Sequence, residues 1–420
     1  MQQPQLQIST NRLSHLDWLR IIVVAMLIPF HSAMTFTPFA WYVNNPTSNN
    51  FLQGLVAILD KYHMELLFCI AGVATWFSFS ARTWGAYLKE RFMRLVIPLI
   101  FGMLVIVPPC YYFAGLYVHN RYPFLYPFFE HNYWRWFVSD WLKIVTPVQK
   151  GFSAGALWFL WYLVLFTFIM FPLLYFVYKK CKNCVMFRLV SFCEKPGVIF
   201  LFIIPIALVE VLTQWKWTIG GHGYRIIGWM MAGDFQVLYY LLFFIFGFII
   251  YSNSYTQKSI DKSGIVAIIG AVITMTLFMF VTFPVWNKSV MGEWYWTTFK
   301  DVTWHSAGRI IFNVLLAFTT WFWIIAILYL ARKFLTFTNR FVKWGNDAVL
   351  PVYIIHSTFI AILSYYIVTR WHTQIIWQYL VIVAVTYMGS ILFLELFKLT
   401  NVTRFLMGIR LKKKVADLKQ

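Results

Sequence analysis

From residue 20 to residue 399 the chain repeats one pattern, an apolar run of roughly twenty residues followed by a polar connection. The apolar windows fall near 20–39, 53–79, 95–116, 156–178, 197–213, 235–251, 264–284, 309–331, 348–369 and 376–399. Runs of that length, nearly free of charge, cross a bilayer as helices because the helix satisfies its own backbone hydrogen bonds. The expected fold is therefore all-α, a polytopic integral membrane protein with about ten transmembrane helices. The fifth and sixth windows are the shortest and are separated by a Gly-rich stretch. The expected division is a cytoplasmic N-terminal segment 1–19, a membrane domain 20–399 and a basic tail 400–420.

The polar connections set an orientation. If the N-terminus is cytoplasmic, the inner segments hold 24 of the 35 Lys and Arg residues. The total favours that side, so the positive-inside rule predicts that both termini are cytoplasmic. Two of the outer connections are rich in aromatics. The one near 117–155 has eight between Tyr122 and Trp136, and the one near 285–308 contains WNKSVMGEWYWTTFKDVTWH. Tyr and Trp gather at membrane interfaces by amphipathy alone; aromatic faces also stack on sugar rings, and both readings stay open.

Composition agrees with the pattern. Sixty per cent of residues are hydrophobic, 21% aromatic and only 12% charged, against about 25% charged in soluble domains. The net charge of +20 in a soluble protein would suggest nucleic acid. Here it lies in short loops between apolar runs, and no nucleic-acid partner is expected. No cleavable leader is evident before the first window. Cys181 and Cys184 form a lone CxxC with Cys193 nearby, a weak zinc signal without further ligands, and no metal is expected.

Against this background the ionisable residues inside apolar windows stand out, because their burial in lipid is costly. Arg20 and His31 share the first window. Eleven residues at 100° each bring both to one helix face, about 16 Å apart along the axis. Asp17 lies three residues before Arg20 and can pair with it. Pro29 precedes His31 and bends the helix. His31 alone reads equally well as a packed histidine or as a general base; Arg20 in register tips the reading to function. Arg91 and Arg94 form an RxxR pair at the head of the third window, suited either to phosphate recognition or to positive-inside anchoring. Glu65 is read as a carboxylate that orients His31 or as an interhelical hydrogen-bond partner. His356 and Glu395 are expected to face the bundle interior, with His356 the functional exception. Asp301, His305 and Arg309 recur every four residues, as a polar vestibule or a solvated helix entry.

These landmarks resemble the membrane acyltransferases of the acyltransferase-3 family. Arg20 and His31 match its Arg, ten residues, His pattern, Arg91 and Arg94 its RxxR, and Phe68–Gly72 (FCIAG) its FFxISG. Tyr353–His356 matches a late YxxH, and Ala156–Val164 a mid-chain WFL signature. Within the family the look is closest to the branch that succinylates osmoregulated periplasmic glucans, through Ile28–His31, Trp41–Asn44 and the HMELLFCIAG stretch. Cys69 and Ala71 depart from the usual Phe and Ser. The resemblance implies a multi-pass inner-membrane enzyme without a bound cofactor. It would move an acetyl or succinyl group from cytoplasmic acyl-CoA to a hydroxyl of a periplasmic or cell-surface glycan. His31 would be the base or transient acyl carrier, Arg20 would orient the donor or its oxyanion, and Arg91 and Arg94 would hold coenzyme A. The alternative is a transporter or flippase of an anionic solute, although no inverted repeat is evident.

Overall fold

A computed structural model describes residues 13–39, 41–121, 129–145, 154–180, 195, 197–218, 237–252, 254–286 and 307–412. All regular structure among them is helical. Seven helical stretches are long and apolar enough to span a membrane: Ser14–Met34, Asn50–Ala81, Trp84–Arg121, Thr256–Val281, Ile310–Phe334, Arg340–Arg370 and Ile375–Phe397. An eighth arises if Gly155–Ile169 and Phe171–Lys179 count as one span bent by 52°. The bend falls where Pro172 constrains the residue before it. The fifth and sixth windows are the shorter helices Val198–Leu212 and Val237–Ser252. Sixteen helical residues rise about 24 Å, short of a hydrocarbon core of about 30 Å. Seven or eight spans among the described residues thus stand where about ten were expected, and each of the ten windows is still helical. The vestibule residues Asp301 and His305, the side chain of Arg309, and Cys181, Cys184 and Cys193 lie outside the described residues.

The main helices are α1 (Ser14–Met34), α2 (His63–Ala81), α3 (Trp84–Arg121), α4 (Trp158–Ile169), α5 (Phe171–Lys180), α6 (Ile203–Thr218) and α7 (Val237–Ser252). They continue with α8 (Ser254–Trp286), α9 (Ala307–Phe334), α10 (Arg340–Arg370) and α11 (Ile375–Phe397). Side-chain caps set several starts. Asn49 accepts from the Leu52 amide before a short lead-in helix, Asn339 from Val342 at the head of α10, and Thr83 from Ala86 at the head of α3. Each cap satisfies a donor that the first helical turn leaves free.

Helix α1 is central, packing on α10, α11, α9 and α2. Ile21 lies against Gly345, His31 against His356 and Thr35 against Ser364, so α1 and α10 run parallel. Arg20 reaches the Ile70 carbonyl while Phe30 packs on His63, so α2 runs antiparallel to α1. The start of α1, the end of α2 and the start of α3 therefore share one end of the bundle. That end also carries the connection between α9 and α10 and the segment after α11.

Close helix contact is specified by glycine. A Cβ on Gly72 of α2 would strike the Phe244 carbonyl of α7, and one on Gly247 would strike the Cys69 carbonyl of α2. The two backbones meet where neither side chain intervenes.

Helix α3 is not uniform. Phe92–Val96 and Gly102–Ile106 are π-helical. The Val107 amide bonds to Gly102, and the next residue, Pro108, has no N–H, so the Met103 carbonyl lacks a donor from its own helix. The Trp141 indole donates to it at 3.0 Å. The Thr358 hydroxyl of α10 donates to the Ile106 carbonyl at 2.8 Å. A buried backbone acceptor thus finds a partner from another element.

Ile265, Ile269, Val272, Ile273, Leu277 and Phe280 line the outward face of α8, and Met388, Leu392 and Leu396 that of α11. Exposed apolar stripes of this kind face lipid rather than water.

Candidate functional site

His31 stands one turn before the end of α1, two residues after Pro29. Its Nδ1 lies 2.8 Å from Nε2 of His356, which projects from α10 five residues after Pro351. The ring centroids are 5.0 Å apart and the planes differ by only 19°. With so short a nitrogen–nitrogen distance, the rings meet edge to edge and the bond runs along a lone-pair direction. Trp41 lies face to face with the imidazole, centroids 4.8 Å apart at 16°. Its indole nitrogen is buried and makes no hydrogen bond among the described residues. The Trp41 segment is tied down by Asn44. The Asn44 amide oxygen accepts from the Trp41 backbone, and its nitrogen donates to Met34, Thr37 and Phe39 carbonyls. His31 is half-buried; His356 is buried.

The backbone fixes the tautomers. His356 Nδ1 lies 2.6 Å from the Tyr353 carbonyl and 3.2 Å from that of Val352. A carbonyl only accepts, so this nitrogen carries the hydrogen, and in the neutral ring Nε2 is the acceptor. His31 Nδ1 must then donate to it. The hydrogen of His31 is committed to this bond, and its Nε2 is left with a bare lone pair. Ser357 Oγ lies 3.1 Å from His356 Nε2 and completes its surroundings. Such a pair holds one imidazole in orientation and tautomer through the other.

Arg20 sits three turns before His31 on α1. Its guanidinium is 3.9 Å from the Asp17 carboxylate, as the spacing predicted, and 3.5 Å from the Ile70 carbonyl. Arg20 leans on α2, whereas His31 turns to α10; the face they share in an ideal helix is divided between two neighbours. No hydrogen bond joins the two side chains among the described residues.

Glu65 does not reach His31 among the described contacts. It is buried on α2 with one carboxylate oxygen unpartnered, within electrostatic range of Asp60, Lys61 and Glu210. Its helix presents His63 rather than Glu65 toward α1. His63 donates to the Leu59 carbonyl and packs on Phe30 beside His31. Glu395 also departs from expectation. It is about half exposed on the last turn of α11, bound by Lys398 and the Trp344 indole.

The RxxR pair straddles the change from α to π geometry. Arg91 donates to Ser78 Oγ at 3.1 Å and lies over the Tyr87 ring; its Nε is buried without a partner. Arg94 pairs with Glu90 at 3.4 Å, and Arg82 binds the same carboxylate at 2.9 Å. Arg410, from the segment after α11, lies within electrostatic range of Arg94. Arg82, Arg91 and Arg410 thus gather around Arg94, and Glu90 joins two of the four. Arg82 and Arg410 escape a reading by motif, because only the folded bundle brings them to the pair.

The described aromatics of the connection near 117–155 mostly pack on one another and on the end of α3. Tyr112 contacts Phe129, Tyr133 and Trp136, and Trp136 lies on Trp141. Trp134 is exposed.

A helical bundle faced with apolar side chains, carrying a polar histidine pair in its interior, defines a multi-pass membrane protein. Residues 13–395 match the acyltransferase domain family, and the chain belongs to this acyltransferase-3 family of membrane acyltransferases. Curated relatives include the Glucans biosynthesis protein C of Salmonella paratyphi B, Salmonella heidelberg and Salmonella dublin. Each is 23% identical over 152 residues, a stretch spanning 35% of this chain and 39% of the relative. No solved structure matches.

Proposed function

We propose that this protein transfers an acyl group, acetyl or succinyl, from acyl-CoA to a hydroxyl of a glycan on the opposite side of the inner membrane, with both termini cytoplasmic. The observation that carries the reading is the His31–His356 pair, which leaves His31 Nε2 unprotonated on a half-buried ring. In the reaction, Nε2 takes the proton of the acceptor hydroxyl as its oxygen attacks the thioester carbonyl. The tetrahedral intermediate then collapses, the carbon–sulfur bond breaks, and the departing thiolate takes the proton back. An ester and free coenzyme A result. His356 keeps its own hydrogen on the Tyr353 carbonyl throughout and supports the charge that develops on His31.

The four-arginine cluster suits a coenzyme A polyphosphate. It shares an end of the bundle with the start of α1, and His31 lies toward the other end, so donor and acceptor approach from opposite sides. Arg20, between the two levels, is a cation along the donor's path from the arginine cluster toward His31. The glucan-related name of the relatives supports a glycan acceptor.

The test is purified protein in nanodiscs, given acetyl- or succinyl-CoA and envelope glycans from a strain lacking the gene, with product measured by mass spectrometry. Wild type should form acylated glycan, and His31→Ala should lose transfer by at least about a hundredfold, the lower range for general-base catalysis. Full transfer by a correctly inserted His31→Ala protein would remove the mechanism. A covalent acyl-histidine trapped before acceptor is added would instead make His31 the carrier. Solute flux through liposomes without any acyl donor would favour transport.

A further inference from the structure

The structure contains an open cavity of about 580 Å³ at the end of the bundle toward which His31 lies. Its walls come from the segment after α1, the end of α3, the end of α10 and the start of α11. We infer that it is the seat of the acceptor glycan. This inference rests on the acyl-transfer reading and adds where the polyhydroxylated substrate binds.

The lining chemistry argues for sugar. Four carboxamides face the cavity, Asn45, Asn120, Gln374 and Gln378, together with the hydroxyls of Thr47, Thr369 and Thr373. Carboxamides and hydroxyls each donate and accept, as sugar hydroxyls do. Among the described lining residues, Arg121 and His372 are the ionisable groups besides the Tyr117 phenol, and none is Asp or Glu. With Arg121 and His372 in its wall, the site accommodates a glycan that bears anionic substituents. Its volume lies within the usual range of about 300–1,000 Å³ for ligand sites.

The cavity wall is also rigidly connected to His31. The Asn45 amide donates to the Thr35 carbonyl at 2.7 Å. Thr35 is four residues beyond His31, about 6 Å of helix rise. The Asn45 side chain donates to Gln378 at 3.1 Å, and the Gln378 amide donates in turn to the Trp371 and Thr373 carbonyls. Tyr117 donates to the Asn44 carbonyl. Trp41, the ring that covers His31, is four residues from Asn45 on the same Asn44-tied segment. A sugar chain held in the cavity is thus held by the loop that shapes the approach to the imidazole.

The experiment uses full-length protein in nanodiscs and size-fractionated envelope oligosaccharides from a strain lacking the gene. Two proteins are compared, wild type and a double variant, Asn120→Ala with His372→Ala, neither position bearing the Asn45–Gln378 network. The double variant should raise the acceptor KM by tenfold or more, with kcat and the donor KM within about twofold of wild type. An unchanged acceptor KM overturns the inference while leaving the acyl-transfer reading intact. If wild type transfers nothing, equilibrium dialysis of the same oligosaccharides decides separately. Retention by wild type that the double variant loses supports a glycan seat. Equal retention by both, or none by either, overturns it. His31→Ala should retain oligosaccharide as wild type does.

Discussion

At the scale of single residues, the hydrogen on His31 is placed by a chain of acceptors that ends on the backbone. Replacing His356 by Ala leaves His31 Nδ1 without its acceptor, and the ring is free to turn or change tautomer. Transfer should fall about 10–100-fold, as when the partner that orients a histidine is lost. His356→Gln offers a carboxamide oxygen to the same N–H and should recover part of the rate. A purely structural role for His356 predicts no such difference between Ala and Gln in variants that insert equally. The sequence marked both histidines as intramembrane ionisable groups, but not their pairing. They stand 325 residues apart, and no periodicity links them. Glu65, whose two readings the sequence left open, shows a related limit. Helix spacing says which residues share a face, whereas bundle packing decides which neighbour that face meets.

At the scale of elements, length and apolarity were enough to locate all ten helical windows, because a lipid-facing helix must be apolar along its whole exposed stripe. The departures from ideal helix were less legible. The second π segment of α3 goes with Pro108 and with donors from Trp141 and Thr358, which are remote in sequence. The contact between α2 and α7 gives a direct test. Gly72→Ala or Gly247→Ala must separate two backbones and should cost about 1–3 kcal/mol, as overpacking does. The measurement is thermal unfolding in detergent, with a lower midpoint expected. Gly85 in α3 has nothing within 4 Å of an added Cβ. Gly85→Ala should be neutral or raise stability by up to about 1 kcal/mol through helix propensity. Equal midpoints for all three variants would contradict the close crossing.

At the scale of the whole molecule, charge is divided between the two ends. Arg82, Arg91, Arg94 and Arg410 gather at one end, two of them on Glu90, and uncharged amides and hydroxyls dominate the cavity at the other. Removing Arg94 and Arg410 together should raise the acyl-CoA KM by about tenfold, equivalent to about 1.4 kcal/mol, and leave the acceptor KM unchanged. Glu90→Gln releases two guanidinium groups and should lower the donor KM. Added salt should weaken donor binding more than acceptor binding, since only the former rests on charge. The RxxR spacing disclosed half of this cluster; Arg410 comes from the far end of the chain, and only folding brings it there.

One feature of α1 and α10 bears on how the protein is made. Helix α1 holds one imidazole, and α10, synthesised some 325 residues later, delivers the other. The pair therefore stays incomplete until α10 has joined the bundle, and on the proposed mechanism transfer begins only then. A chain truncated between α1 and α10 lacks the second ring, however well its earlier helices insert.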